Sequence, residues 1–178
     1  MTRAALLFSI LLVWATAPVV GDDKKPEAGK NAALDKFKQL AGEWAGKEIK
    51  GPNEGKEVRA NYKVTSGGSA VVETLLPGTD HEMVTVIHPD GDDLILTHYC
   101  MLGNQPQMKA SGKDDGSKVA FKFVRATNLK SDKDPHMHDL TIEFIDADHI
   151  KSTWTFYQDG KEDSKADFDM KRKKKVAN

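Results

Sequence analysis

The chain has 178 residues, 39% of them hydrophobic and 30% charged, with 26 Lys and Arg against 27 Asp and Glu for a net charge of −1. That balance, with no broad basic face, argues against nucleic acid as a partner. The single cysteine, Cys100, excludes an internal disulfide, so one hydrophobic core has to carry the stability.

The chain opens as a targeting segment does. Arg3 precedes an apolar run from Ala4 to Val20, and the acidic pair Asp22 and Asp23 follows abruptly. This is the pattern of a secretory signal peptide over residues 1–21, cleaved after Gly21. The run is slightly short of the roughly 20 residues that span a bilayer. The expected product is extracytoplasmic, periplasmic or secreted, with no stable membrane insertion. Residues 22–32 are charged, hold Pro26 and Gly29, and read as a flexible leader. From Ala33 to Leu40, the three-residue spacing of Leu34, Phe37 and Leu40 predicts a short amphipathic helix that caps one end of the fold.

Ten short runs of alternating apolar and polar residues come next, over 43–50, 57–66, 69–76, 81–88, 93–102, 105–112, 117–126, 137–146, 149–158 and 163–172. Turn residues such as Pro77-Gly78-Thr79 and Pro89-Asp90-Gly91-Asp92 separate them, as hairpin connections require. A sheet of that many strands curls under its own twist until its edges meet. The expectation is an all-β, ten-stranded, antiparallel up-and-down barrel filling residues 33–172 as a single domain. Residues 173–178 form a basic tail, and the run from Lys171 to Lys175 reads as solvated.

Alternation assigns faces. Val119, Phe121 and Phe123 oppose Lys118 and Lys122, so the Phe row points inward and Arg125, two further on, shares it. Leu140, Ile142 and Phe144 form an inward row that His136 and His138 extend, and Trp154 and Phe156 line the interior from the ninth strand. In the fifth strand the row Leu94, Leu96, His98, Cys100 is taken as inward because it continues two leucines; Ile95, Thr97, Tyr99 and Met101 compete with it. Glu73, between Val71 and Leu75, is a candidate interior carboxylate, with Val72 and Leu76 the competing row. With Trp44 at the bottom of the first strand, Cys100 and Arg125 late in odd strands, His81, His136 and His138 early in even ones, and the long stretch Thr127 to Pro135 fall together at the top.

His136-Met137-His138 is the best local constellation. Imidazoles two apart on a strand project the same way about 6.5–7 Å apart, and they reach one zinc ion if His98 or Cys100 converges on it. The competing reading makes them rim residues bonded to loop carbonyls and to Asp134 or Asp139. Arg125 suits a carboxylate head group, with a surface ion pair as the alternative. A nucleophile elbow, a phosphate-cradling glycine loop and a His-Glu-x-x-His helix are all missing from the sequence, so binding rather than a reaction is expected.

Gly42-Glu43-Trp44, after a short helix and opening the first strand, resembles the Gly-x-Trp signature of the lipocalin and calycin barrels, where the Trp packs across a closed bottom. Extended by Ala45 and Gly46, and with ten strands, it is similar to the nitrobindin-type branch. The stretch from Thr97 to Pro106 resembles a group of uncharacterised secreted bacterial proteins, planctomycete ones among them. The lipocalin likeness implies a small-molecule ligand. The nitrobindin likeness implies haem on a His near the carboxyl end, where the last strand carries none and His149 is nearest.

Three expectations result. The first is an exported barrel binding a partly hydrophobic small molecule, lined by Phe121, Phe123, Trp154 and Phe156, with Glu73, His98, Cys100, Arg125, His136 and His138 as its polar contacts. The second is a metal- or haem-binding or redox protein using His98, Cys100, His136 and His138. The third is a structural envelope protein with a filled barrel.

Overall fold

The computed structural model describes residues 31–111 and 116–174. The expected signal peptide, residues 22–30 of the leader and the last residues of the tail lie outside the described residues. One helix, α1 (Ala32–Gln39), precedes ten strands: β1 (Gly42–Lys50), β2 (Glu57–Thr65), β3 (Ala70–Leu75), β4 (Met83–Asp90), β5 (Asp93–Tyr99), β6 (Gln105–Ser111), β7 (Lys118–Thr127), β8 (His136–Asp146), β9 (His149–Gln158) and β10 (Lys161–Arg172). Each strand pairs antiparallel with the next, and β1 pairs with β10 to close the barrel. The all-β, up-and-down meander expected from the alternation is the fold.

Closure depends on one glycine. A Cβ on Gly46 would stand 1.8 Å from the Asp169 carbonyl oxygen and 2.7 Å from Met170 Cα. The β1 and β10 backbones approach too closely there for any side chain.

The helix seals the bottom. Asn31 caps it, accepting the Leu34 N–H at 3.0 Å, while the Asn31 side-chain amide donates to the Asp93 carbonyl at 3.3 Å and so ties the helix start to the β4–β5 turn. Leu34 and Phe37 face the lumen, and the Phe37 ring lies 5.8 Å from Phe121 and 5.4 Å, edge-on, from Phe144. Trp44 is fully buried above the helix end and donates its indole N–H to the Leu40 carbonyl at 2.7 Å. Arg172 covers that Trp ring at 4.4 Å, donates to the carbonyls of Gln39 and Ala41 at 2.7 and 2.8 Å, and pairs with Asp148 at 2.9 Å. Lys171 and Arg172 belong to β10, as the tenth alternating run had it, and Arg172 is engaged in the seal rather than solvated with the basic run.

One apolar cluster fills the lumen, from Leu34, Phe37 and Trp44 at the bottom through Leu94, Leu96, Met108, Phe121, Leu140 and Ile150 to Trp154. Val58, Ala60, Tyr62 and Met170 are also buried, as is Ile142, which the alternation placed inward.

Candidate functional site

Four polar residues form a continuous row across the inner wall. Tyr62 on β2 is directly opposite Glu73 on β3, Glu73 opposite Thr85 on β4, and Thr85 opposite His98 on β5. Opposite residues share a face, which places all four in the lumen, and each is at most 5% exposed. The Tyr62 hydroxyl donates to Glu73 Oε1 at 2.5 Å, the Thr85 hydroxyl also bonds the Glu73 carboxylate, and Thr85 Oγ1 lies 3.0 Å from His98 Nδ1. With Glu73 ionised, Thr85 donates to it and accepts from His98 Nδ1–H, so His98 Nε2 carries a bare lone pair.

Burial controls the charge states along this row. Burial raises the Glu73 carboxyl above its usual range against the pull of its Tyr62 and Thr85 bonds, and it raises Tyr62 well above 10.0 beside that carboxylate. His98 is pushed down to about 4 by burial and is neutral at physiological pH. Its ring lies 4.6 Å from that of Trp154 on β9, a contact across the lumen.

At the top, β7 and β8 part. Their ladder stops at Phe121 opposite Leu140, and beyond it the Asp139 carboxylate takes over, accepting the Phe123 N–H at 3.2 Å and pairing with Lys122 at 2.8 Å. A stack of rings occupies this part of the wall. His138 lies between Phe123 at 4.7 Å and Tyr157 at 3.7 Å, both nearly parallel to it, and His136 lies 4.8 Å from Phe123.

Neither histidine keeps the regular alternation of β8, although His136 is buried at 3% exposure and His138 is half-buried. The β8–β9 register shifts between Met137 and Asp139; Met137 sits opposite Phe156 and packs on the core, while His136 sits opposite Tyr157. A β-bulge at His138 reverses the faces above it. His136 Nδ1 lies 2.7 Å from the Asp134 carbonyl and His138 Nδ1 3.1 Å from Asp139 Oδ1, the partners of the competing rim reading.

The expected metal trio is not assembled: the His136 and His138 rings are 5.6 Å apart, His98 is engaged with Thr85, and no group of three or more His, Cys, Asp or Glu among the described residues is placed to hold an ion. His149, the nearest candidate for haem, bonds Asp169 through Nε2 at 2.8 Å.

A second bulge displaces Arg125. Phe123 pairs with Met108 but Arg125 pairs with Gln107, so Val124 is an inserted residue and the alternation slips. Arg125 stands exposed on the outer wall, bonded to Gln107 at 3.0 Å, and not in the mouth where alternation placed it. Cys100 lies beyond the end of β5, half-buried in the turn where its N–H bonds the Asn104 carbonyl, and burial raises its thiol above 9.0. Met101 in the same turn is 57% exposed. Phe121 and Trp154 are buried in the lumen, and Phe123 and Phe156 are half-buried towards its top.

Four buried side-chain atoms have no hydrogen-bond partner among the described residues: His98 Nε2, Asn104 Oδ1, His136 Nε2 and Asp167 Oδ1. The first three lie at the top end. Asn104, absent from the sequence expectations, donates to the Pro135 carbonyl at 2.9 Å and so joins the β5–β6 turn to the start of β8. Two concavities lie on the outside of the barrel, one of about 360 Å³ over β5–β7 and one of about 110 Å³ over β8–β10 and Ile49 of β1. No family model and no curated protein matches the chain. Among solved structures, the fold is similar to that of Rv2717c from M. tuberculosis, with a TM-score of 0.56 and 12% identity over 80% of this chain and 98% of that one. At that identity the likeness is one of fold.

Proposed function

We propose that the protein is an exported binding barrel of the calycin type that takes a small, partly apolar molecule at its top end, and that the molecule's polar group is a hydrogen-bond donor. One observation carries this reading: three buried atoms, His98 Nε2, His136 Nε2 and Asn104 Oδ1, have no hydrogen-bond partner among the described residues and lie towards the end that α1 does not seal. His136 Nδ1 faces a carbonyl and must carry the hydrogen, so its Nε2 is an acceptor. Asn104 Oδ1 is an acceptor by nature, and His98 Nε2 is one while Glu73 is ionised. Each such atom left unpaired costs about 1–3 kcal/mol. A hydroxyl, amine or amide N–H answers that need and a carboxylate does not, which reverses the head-group polarity inferred when Arg125 was expected at the mouth. Phe123, Met137 and Phe156, half-buried at this end, offer the apolar contact. Gly42-Glu43-Trp44 at the sealed bottom supports the calycin assignment.

The test is mass spectrometry of the protein purified from an exporting host, followed by titration with long-chain alcohols and amines monitored by tryptophan emission. A co-purified or titrated donor-bearing amphiphile that is lost in His98→Leu is the expected result. The packed lumen favours one other reading, a structural barrel, since the His98–Trp154 contact already bridges the interior. Absence of any bound molecule together with unchanged emission establishes that reading instead.

A further inference from the structure

We propose that the outer wall of β5, β6 and β7 carries a second binding site, for an acidic saccharide whose carboxylate is taken by Arg125. The groove there has a volume of about 360 Å³ and is lined by Thr97, Tyr99, Gln105, Gln107, Arg125 and Thr127. Small-molecule sites span about 300–1,000 Å³. None of the six lining residues is acidic, and Arg125 is the single charged one.

The guanidinium is held ready. Arg125 Nε donates to Gln107 Oε1 at 3.0 Å, and Gln107 Nε2 in turn reaches Thr97 Oγ1 at 3.5 Å. This bond occupies Nε and leaves the two terminal nitrogens, a pair able to clasp a carboxylate in bidentate fashion, without a hydrogen-bond partner among the described residues, on a side chain that lines the groove. Arg125 has no ion pair among the described residues, whereas four outer-wall lysines, three of them on β6 and β7, are spent on carboxylates: Lys109 on Asp93, Lys118 on Glu143, Lys122 on Asp139 and Lys151 on Asp169.

The remaining lining fits a sugar better than a bare anion. Thr127 Oγ1 donates to Gln105 Oε1 at 2.7 Å, and the Gln105 amide donates to the Gly103 carbonyl, so hydroxyls and amides are fixed in a grid. Grid points recur about 6.5–7 Å along each strand and about 4.8 Å across strands, a spacing on the scale of ring hydroxyls. Tyr99, 51% exposed, supplies an aromatic ring at the groove edge for the C–H face of a pyranose. An inorganic oxyanion needs neither the amide grid nor the ring, and a nucleic acid needs more than one cation.

The purified chain is titrated with a galacturonic acid trimer, its methyl ester and inorganic phosphate, read by NMR at the Gln105 and Gln107 side-chain amides and Arg125 Nε. The acid trimer is expected to shift these resonances, with the ester and the Arg125→Ala variant binding at least about tenfold more weakly, the worth of one charge-assisted pair. Tyr99→Ala, at the far edge of the groove, is expected to weaken binding of acid and ester alike, so the proposal stays testable if Arg125→Ala folds poorly. His98→Leu and His136→Ala leave this binding unchanged, which separates it from the top of the lumen. Equal affinity for acid and ester, undiminished binding by Arg125→Ala, phosphate binding as tight as the trimer, or no binding at all overturns the proposal.

Discussion

His98 shows what burial does to a single titratable group. Its folded value of about 4 lies below the ordinary 6.5, so the unfolded chain takes up this proton first as the pH falls. The stability that depends on neutral His98 is complete above pH 6.5 and is lost progressively towards pH 4, a swing of roughly 3 kcal/mol. His98→Gln keeps a partner for Thr85 without titrating. Its urea midpoint is expected to hold nearly constant across that window while the parent protein's falls; parallel profiles would refute the assignment. Glu73 has the opposite sign. Its raised value means the unfolded chain releases this proton first as pH rises, so stability is lost as pH rises through the folded value, and Glu73→Gln should gain on the parent from pH 4 to pH 8. Tyr62→Phe, which strips the carboxylate of its 2.5 Å donor, is expected to cost about 1–3 kcal/mol in the same assay. Alternation offered Glu73 and His98 as inner-wall candidates because each continues a row of aliphatic neighbours, but each had a competing row, and burial in the structure decides between them. Thr85 and Tyr62 as their partners were not legible: the row exists only through the registers of four strands, and register is not written in any one of them.

At the scale of elements, strand existence and pairing order followed from periodicity, while two β-bulges undid the face assignment of Arg125 and broke the regular alternation at His136 and His138. A bulge adds one residue to one strand and leaves the local composition unremarkable, so the period-2 reading runs straight through it. Phe121 and Leu140 were placed correctly because they lie on the regular side of each bulge; Arg125 and His136 lie beyond. The closing seam makes a sharper prediction. Gly46→Ala puts a methyl group into the β10 backbone and is expected to destabilise the fold by more than the roughly 1–3 kcal/mol typical of overpacking, since the obstructing atoms are main-chain. Protection of the β1 and β10 amides from hydrogen exchange should fall first, and uniform protection would refute the seam argument. Arg172→Lys should fail to replace the parent residue, because a lysine has no planar fork to serve three carbonyls, an aspartate and an indole face together. A melting temperature lowered by as much in Arg172→Lys as in Arg172→Ala is the expected outcome.

For the whole molecule, barrel closure was legible because so many alternating strands have no other way to bury one face, and the helix plug because Leu34, Phe37 and Leu40 repeat at helical spacing. Whether the barrel is hollow was not legible. It depends on side chains from opposite walls, such as His98 and Trp154, meeting across the lumen, and no sequence pattern encodes distance across a barrel. The same distance governs metal binding. His98, His136 and His138 share one end of the barrel yet engage different partners, so the protein purified without chelators is expected to contain less than about a tenth of an equivalent of zinc by elemental analysis. A stoichiometric content would show that the ring stack rearranges to bind the ion.

The latch between Arg172 and the end of α1 joins positions 132 apart in the chain. All ten strands must therefore leave the ribosome before β10 can settle beside β1, and until then both strands offer open edges to any neighbour. Closure of this barrel is a last-step event, and the interval before it is when a chaperone has its hold.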